Sequence, residues 1–184
     1  MSRLLMFSGG VESTALLTTL DPRKDYALTV THECNEPTMA FPTADLKLVK
    51  KILAHYKFHR FIHVHLKHNY MTGMYEGEYQ RVWLFPAAIM IAGKLPEVKE
   101  LVFGYHADEV FNSEIYDRWC AAFSLMYPDK KVNDYLRHKT KSEHWDMIDD
   151  AVKPYVVSCY SESMGNPHNP LTCHSCKERA MYCN

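Results

Sequence analysis

Two clusters of residues carry types that do chemistry. The first is Ser8-Gly-Gly-Val-Glu-Ser-Thr14. Glycines let a backbone approach a ligand closely, and the N–H groups at a strand-to-helix turn, reinforced by the helix dipole, favour a phosphate. A Walker A loop would end in Gly-Lys-Ser/Thr; this one has no lysine and is rich in hydroxyls. Such a loop suits a pyrophosphate that leaves as a unit while the nucleotide's α-phosphate passes to a substrate oxygen. The plainer reading is a tight turn with Ser8 as helix N-cap.

The second cluster is at the other end of the chain. Of six cysteines, Cys34 and Cys120 are isolated, while Cys159, Cys173, Cys176 and Cys183 lie close together. A secreted disulfide framework would spread them more widely, so the crowding favours reduced thiols available to a metal. Cys173-x-x-Cys176 is a compact chelating knuckle and Cys159 supplies a third thiolate. Structural Zn²⁺ is tetrahedral and needs a fourth ligand, for which His168, His174 and Cys183 are the candidates. A pair of incidental free thiols is the alternative. His63 and His65 share one face of an alternating stretch, opposite Ile62, Val64 and Leu66, which fits either a His-x-His metal pair or a polar strand face. Tyr70, Tyr75 and Tyr79 could stack on a planar base or form a rim.

These residues need elements to position them. The apolar run Arg3–Phe7 predicts a buried strand, and Glu12 to Leu20 a helix ended by Asp21-Pro22. A strand follows over Tyr26–Thr31, then a loop over Glu33–Pro37. Leu46, Val49, Ile52, Leu53 and Tyr56 have helical spacing, and Phe61–Leu66 alternates as a strand. After a long loop over Met71–Gln80 comes an apolar helix, Trp83–Lys94, which starts or kinks at Pro86. Leu101–Gly104 is expected as a strand, Asp117–Met126 and Glu143–Ala151 as helices, and Val156-Val157 as a last short strand. Strands alternating with helices imply βαβ units: an α/β fold with a parallel twisted sheet, helices on both faces, and ligands at the strands' carboxyl ends. The organisation expected is one α/β domain over 1–157 and a cysteine-rich segment over 158–184.

The 184 residues carry 21 Lys+Arg and 22 Asp+Glu, a formal net charge of −1, with 47% hydrophobic and 23% charged residues. That composition excludes disorder and argues against a dominant polyanion-binding surface. No apolar run reaches the roughly 18 residues needed to span a bilayer, and no cleavage-like region follows Met1–Phe7, so the expectation is a soluble, cytoplasmic protein.

Taken in order, the motifs resemble those of the 7-cyano-7-deazaguanine synthase family, within the PP-loop ATP pyrophosphatases of the adenine nucleotide alpha hydrolase superfamily. The Ser8–Thr14 loop resembles the family's Ser-Gly-Gly-x-Asp-Ser, with Glu12 in place of Asp. Thr29-Val-Thr-His-Glu33 resembles the second strand, leading to the adenine pocket. Glu78-Tyr-Gln-Arg81 resembles the segment with an Arg-Asn pair, Val82 standing for Asn. Gly104-Tyr-His-Ala-Asp108, Tyr116-Asp117-Arg118, Lys139-Thr-Lys-Ser-Glu143 and the cysteine tail follow in the family's order, with Pro170 at the position of one family cysteine.

The resemblance implies a Rossmann-like adenine nucleotide alpha hydrolase fold with a C-terminal zinc segment. It also implies a carbon–nitrogen ligase of queuosine biosynthesis that turns 7-carboxy-7-deazaguanine, ammonia and ATP into the 7-cyano base. Ser8, Gly9, Gly10, Val11, Glu12, Ser13 and Thr14 would hold the nucleotide's pyrophosphate. Glu12 and Asp108 would hold Mg²⁺, a hard cation that prefers oxygen. Lys141 would neutralise phosphate charge, and Arg81 or Arg118 would pair with the substrate carboxylate or a phosphate. Cys159, Cys173 and Cys176 would ligate zinc, with His168 favoured as the fourth ligand because it lies two residues from that family cysteine. A homodimer is expected, and no membrane or direct nucleic-acid partner. Against these roles stand plainer ones: Asp108 as an N-cap, Lys141 as a solvated helix residue, Asp117-Arg118 as a surface pair. One rival function is a relative that stops at the 7-amido base or adenylates another carboxylate. Another is a non-enzymatic zinc-ribbon module for nucleic acid, with a basic face around Lys177 and Arg179.

Overall fold

A computed structural model of the chain describes residues 1–34, 44–68, 85–104 and 113–157. Five parallel strands form one sheet in the order β3-β2-β1-β4-β5. The strands are β1 (Ser2–Met6), β2 (Tyr26–Cys34), β3 (Phe61–His68), β4 (Val98–Val102) and β5 (Lys131–Asn133). Between and after them lie helices α1 (Val11–Leu17), α2 (Leu46–His55), α3 (Phe85–Lys94), α4 (Ser113–Met126) and α5 (Lys141–Asp146), followed by a 3-10 turn at Lys153–Tyr155.

The chain winds outward from β1 through β2 to β3, then crosses to the far side of β1 for β4 and β5. Parallel neighbours require crossover connections, and these place helices on both faces. On one face Leu5, Phe7, Ala27 and Val102 pack against Val11 and Ala15 of α1, Val49 and Ile52 of α2, and Trp145 of α5. On the other, Leu4, Leu28, Val30 and Leu101 pack against Phe85, Ala88 and Ile89 of α3 and Phe123 of α4. Strand alternation explains the division: Leu4 and Leu5 are adjacent in β1 and serve opposite cores, both fully buried.

The expected α/β order is therefore present, with local differences. β2 continues through His32–Cys34, although Glu33 and Cys34 read as loop, because β3 extends alongside it to pair Glu33 with Lys67 and Cys34 with His68. Among the described residues α3 runs Phe85–Lys94, which puts Pro86 at its start, where a missing N–H costs nothing. The helix expected over Glu143–Ala151 starts earlier and ends sooner, as α5 (Lys141–Asp146), the 3-10 turn lies beyond its expected end, and Val156-Val157 is not a strand. β5 went unread because three residues are too few to show alternation.

A polar ladder ties the strands together on the α1 face. Asp25, 1% exposed, accepts from Arg3 N–H at 2.7 Å, Arg3 Nε at 2.9 Å and Asp21 N–H at 2.9 Å, with Arg3's guanidinium also 2.6 Å away. Arg3 pairs in register with Glu100 of β4, whose carboxylate is bonded by Tyr135 and Asn133 and lies 3.3 Å from Lys131. Burial pushes the Glu100 carboxyl up, but these donors outweigh it and hold it below the ordinary value. Buried charge is tolerated here because every partner is in place.

Candidate functional site

The order of strands reverses at β1, and the crevice at such a switch point, beyond the carboxyl ends of the strands, is where open parallel sheets bind ligands. The segments that meet there are Phe7–Gly10 after β1 and Phe103-Gly104 after β4. The glycine loop read from sequence is thus at the fold's own binding position.

Three glycines shape this corner, for different reasons. Gly9 has φ of +82°, a conformation that side chains resist, and a Cβ there would stand 3.3 Å from Val49 Cγ2 of α2. Gly10 is the N-cap of α1, without a side-chain cap, so Ser8 is not the cap. The first N–H groups of a helix have no intrahelical acceptor. At Gly104 a Cβ would lie 3.0 Å from the Glu12 carbonyl carbon, Glu12 Cβ and Ser13 N. Only a glycine lets the end of β4 pass so close under the first turn of α1.

Hydroxyls then hold the loop in shape. Ser8 N–H donates to Ser13 Oγ at 3.3 Å, and the two hydroxyl oxygens are 3.1 Å apart. Gly10 N–H donates to Ser8 Oγ at 3.3 Å, and Ser13 Oγ donates to Gly10 O at 3.2 Å. Thr29 of β2 donates to Phe7 O at 2.7 Å, fixing the approach to the loop. Ser13 and Thr14 are buried, and Thr14 Oγ1 has no hydrogen-bond partner among the described residues. A buried polar atom left so costs about 1–3 kcal/mol, which is tolerated at sites that await another partner.

The acidic member of the loop has a specific neighbour. Lys141 Nζ lies 3.3 Å from Glu12 Oε1, with the side chains only 13% and 19% exposed. Lys141 opens α5, whose N-terminus is fixed by a capping box: Glu143 N–H donates to Thr140 Oγ1, and Thr140 N–H donates to Glu143 Oε2 at 2.7 Å. Hence Lys141 is not a solvated helix residue. The structure joins two residues 129 positions apart in the chain (141 − 12) that the sequence had assigned separately to cation and phosphate. Oxygen donors gather around the loop: the Glu12 carboxylate and the hydroxyls of Ser8 and Ser13. That is the donor class Mg²⁺ takes, so the residues present fit such an ion.

Another contact was not foreseen. Val157 N–H donates to Gly9 O at 3.1 Å, and Val157 O stands 3.7 Å from where a Gly10 Cβ would be. The chain thus returns to the glycine loop just before the cysteine-rich segment. The only sequence signal was the apolar Val156-Val157 pair, read as a strand.

Asp117 and Arg118 are exposed on α4, which packs on the sheet face opposite α1. Arg81, Val82, Asp108, Tyr70, Tyr75 and Tyr79 lie outside the described residues, as do Cys159, His168, Cys173, His174, Cys176 and Cys183. His63 and His65 do share an exposed face of β3, both directed at one hydroxyl: Thr31 Oγ1 is 2.7 Å from His63 Nε2 and 3.0 Å from His65 Nδ1. Among the described residues no group of three or more His, Cys, Asp or Glu could hold a metal, and no helix is long and apolar enough to cross a membrane.

No protein-family model and no curated protein matches the sequence. Among solved structures the chain is similar to a protein described as a predicted subunit of tRNA methyltransferase from Methanocaldococcus jannaschii. The two share 16% identity and a TM-score of 0.48, over 79% of this chain and 74% of that one.

Proposed function

We propose that the protein is an ATP-dependent ligase of the 7-cyano-7-deazaguanine synthase type. The observation that carries the reading is the corner just described: a lysine-free glycine–hydroxyl loop at the switch point with Glu12 and Lys141 paired beside it. Ser8 to Thr14 bind the pyrophosphate portion of ATP through loop N–H groups and hydroxyls. Mg²⁺ bound with ATP would offset phosphate charge, and Glu12 and Asp108 would hold it. Lys141 neutralises the departing pyrophosphate. Arg81 or Arg118 pairs with the substrate carboxylate, whose planar geometry matches a guanidinium fork.

A carboxylate resists attack because it is already negative and lacks a leaving group. Its oxygen displaces pyrophosphate from ATP and becomes adenylated; ammonia attacks the carbonyl carbon and expels AMP, giving the amide after loss of a proton. The amide oxygen displaces a second pyrophosphate and is adenylated in turn, and loss of AMP and of both N–H protons leaves the nitrile. No covalent protein nucleophile is needed. The residues orient reactants and compensate charge, which are large catalytic effects in a partly enclosed site. Cys159, His168, Cys173 and Cys176 would hold a structural zinc, and the protein acts as a cytoplasmic homodimer.

Incubation of the purified protein with 7-carboxy-7-deazaguanine, Mg-ATP and ammonium, followed by mass spectrometry, tests this reading. Nitrile with two AMP per base is the expected result. Accumulation of the amide selects the enzyme that stops one step earlier, a reading to which Val82 in place of Asn lends weight. Release of neither AMP nor pyrophosphate overturns both. Metal analysis should give one zinc per chain, lowered by His168→Ala; full zinc in that variant and loss in Cys183→Ala would make Cys183 the fourth ligand.

A further inference from the structure

We infer that the Glu12–Lys141 ion pair is a cation-gated latch: without a divalent cation it holds Lys141 away from phosphate, and a cation arriving with the nucleotide takes Glu12 and releases Lys141 Nζ. The inference rests on the ATP-binding reading above and concerns what controls that site.

A carboxylate is an unwelcome neighbour for a phosphate. Glu12 Oε2 stands 3.7 Å from where a Gly10 Cβ would be, so its charge is over the same loop that would receive the anion. At 13% and 19% exposure the pair is shielded from water, so its charges are felt more strongly than those of a surface pair. With Lys141 paired to Glu12, the two charges nearest the loop among the described residues cancel, and neither is offered to phosphate. A cation ligated by Glu12 reverses that balance in one exchange: the carboxylate gains a divalent partner and the ammonium is returned to the anion.

The backbone at both ends of the pair is held, so the exchange needs side-chain movement only. Glu12 is fixed by the close passage of Gly104 under it and by the Thr14 N–H bond to Gly10 O at 2.9 Å. Lys141 is fixed by the capping box at Thr140 and Glu143. A lysine ammonium is a compact charge on a flexible stem that can re-aim, unlike a guanidinium fork locked in two-point contact. Glutamate has one methylene more reach than aspartate.

The test is ATP titration by calorimetry, in Mg²⁺ and in EDTA, of the wild type, Glu12→Gln and Lys141→Met. The latch makes the two variants diverge. Glu12→Gln should tighten ATP binding in EDTA on the order of tenfold and shrink the ratio of EDTA to Mg²⁺ dissociation constants toward one, a coupling within the usual range. Lys141→Met leaves the carboxylate unneutralised and should weaken the EDTA arm most, widening that ratio. Both variants weakening both arms alike would show a structural clamp and overturn the latch. If Glu12→Gln does not fold, the Lys141→Met ratio decides: widening supports the latch, an unchanged or narrowed ratio sinks it. Failure of the wild type to bind Mg-ATP at all would instead sink the ATP-site reading, which separates the two failures.

Discussion

Two charged arrangements on the same face of the sheet are built differently. In the ladder, Arg3 grips Asp25 through Nε at 2.9 Å and through its terminal nitrogen at 2.6 Å, and backbone N–H groups of Arg3 and Asp21 add two further donors. At the glycine loop, the compact ammonium of Lys141 meets Glu12 Oε1 at 3.3 Å, with no two-point fork. The first geometry cannot be exchanged without leaving a buried carboxylate unpaired. The second can be traded for another cation and another anion. Location agrees with construction: the ladder crosses the strands, while the pair stands at their carboxyl ends, where the topology puts ligands.

The largest effect should come from breaking the ladder. Asp25→Ala leaves Arg3 without its partner and removes the acceptor of two backbone N–H groups, for an expected loss of about 3–5 kcal/mol in urea unfolding. A loss similar to that of Lys141→Met would mean the two arrangements are not different in kind. Next is Gly104→Ala, whose added methyl would stand 3.0 Å from Glu12 and Ser13. Both contacts are with or next to backbone, so α1 must shift, at about 1–3 kcal/mol. Unlike Asp25→Ala, it should weaken ATP binding even at temperatures where the variant remains folded; unchanged affinity would detach Gly104 from the site.

The same contrast explains what was legible in the sequence. The loop Ser8–Thr14 and its place after a first strand are local patterns, as are the helical spacing of Leu46–Tyr56 and the alternation of Phe61–Leu66, and the structure has them. Glu12 and Lys141 could each be singled out, but their pairing depends on α1 and α5 packing together, which no local period encodes. Asp25 and Glu100 gave no signal at all, since a buried charge looks in sequence like any exposed one. Val156-Val157 misled because an apolar pair is equally consistent with a strand and with a segment docking on the Gly9 carbonyl. His63 and His65 read correctly as one face because strand alternation is the simplest of these patterns.

Smaller changes probe how firmly the exchangeable pair is held. Thr140→Ala removes the side-chain half of the capping box that fixes Lys141, at about 1 kcal/mol in stability. The first turn of α5 then frays, so ATP affinity should fall by less than in Lys141→Met. Affinity equal to that of wild type would show that Lys141 is held by packing of α5 on α1 and not by its cap.

The smallest expected effect tests whether exchangeability is confined to the glycine loop. His63 and His65 both address Thr31 Oγ1, which has a single proton to donate, so one ring accepts it and the other donates its own N–H to the hydroxyl. Burial, the neighbouring His65 and Lys50 all disfavour a charge on His63 and hold it below the ordinary histidine value. The unfolded chain therefore binds the proton more readily, and this group's contribution to stability is full above the unfolded value near 6.5 and is lost as pH falls through the lower folded value. Because His63 is on an exposed face, the slope should be shallow. His63→Asn keeps a hydrogen-bonding group near Thr31 but removes the titration, so urea midpoints measured between about pH 5 and pH 8 should show a flatter dependence in the variant. An unchanged slope would assign the pH dependence to other groups and leave the histidine pair as a static polar face, closer in kind to the ladder than to the latch.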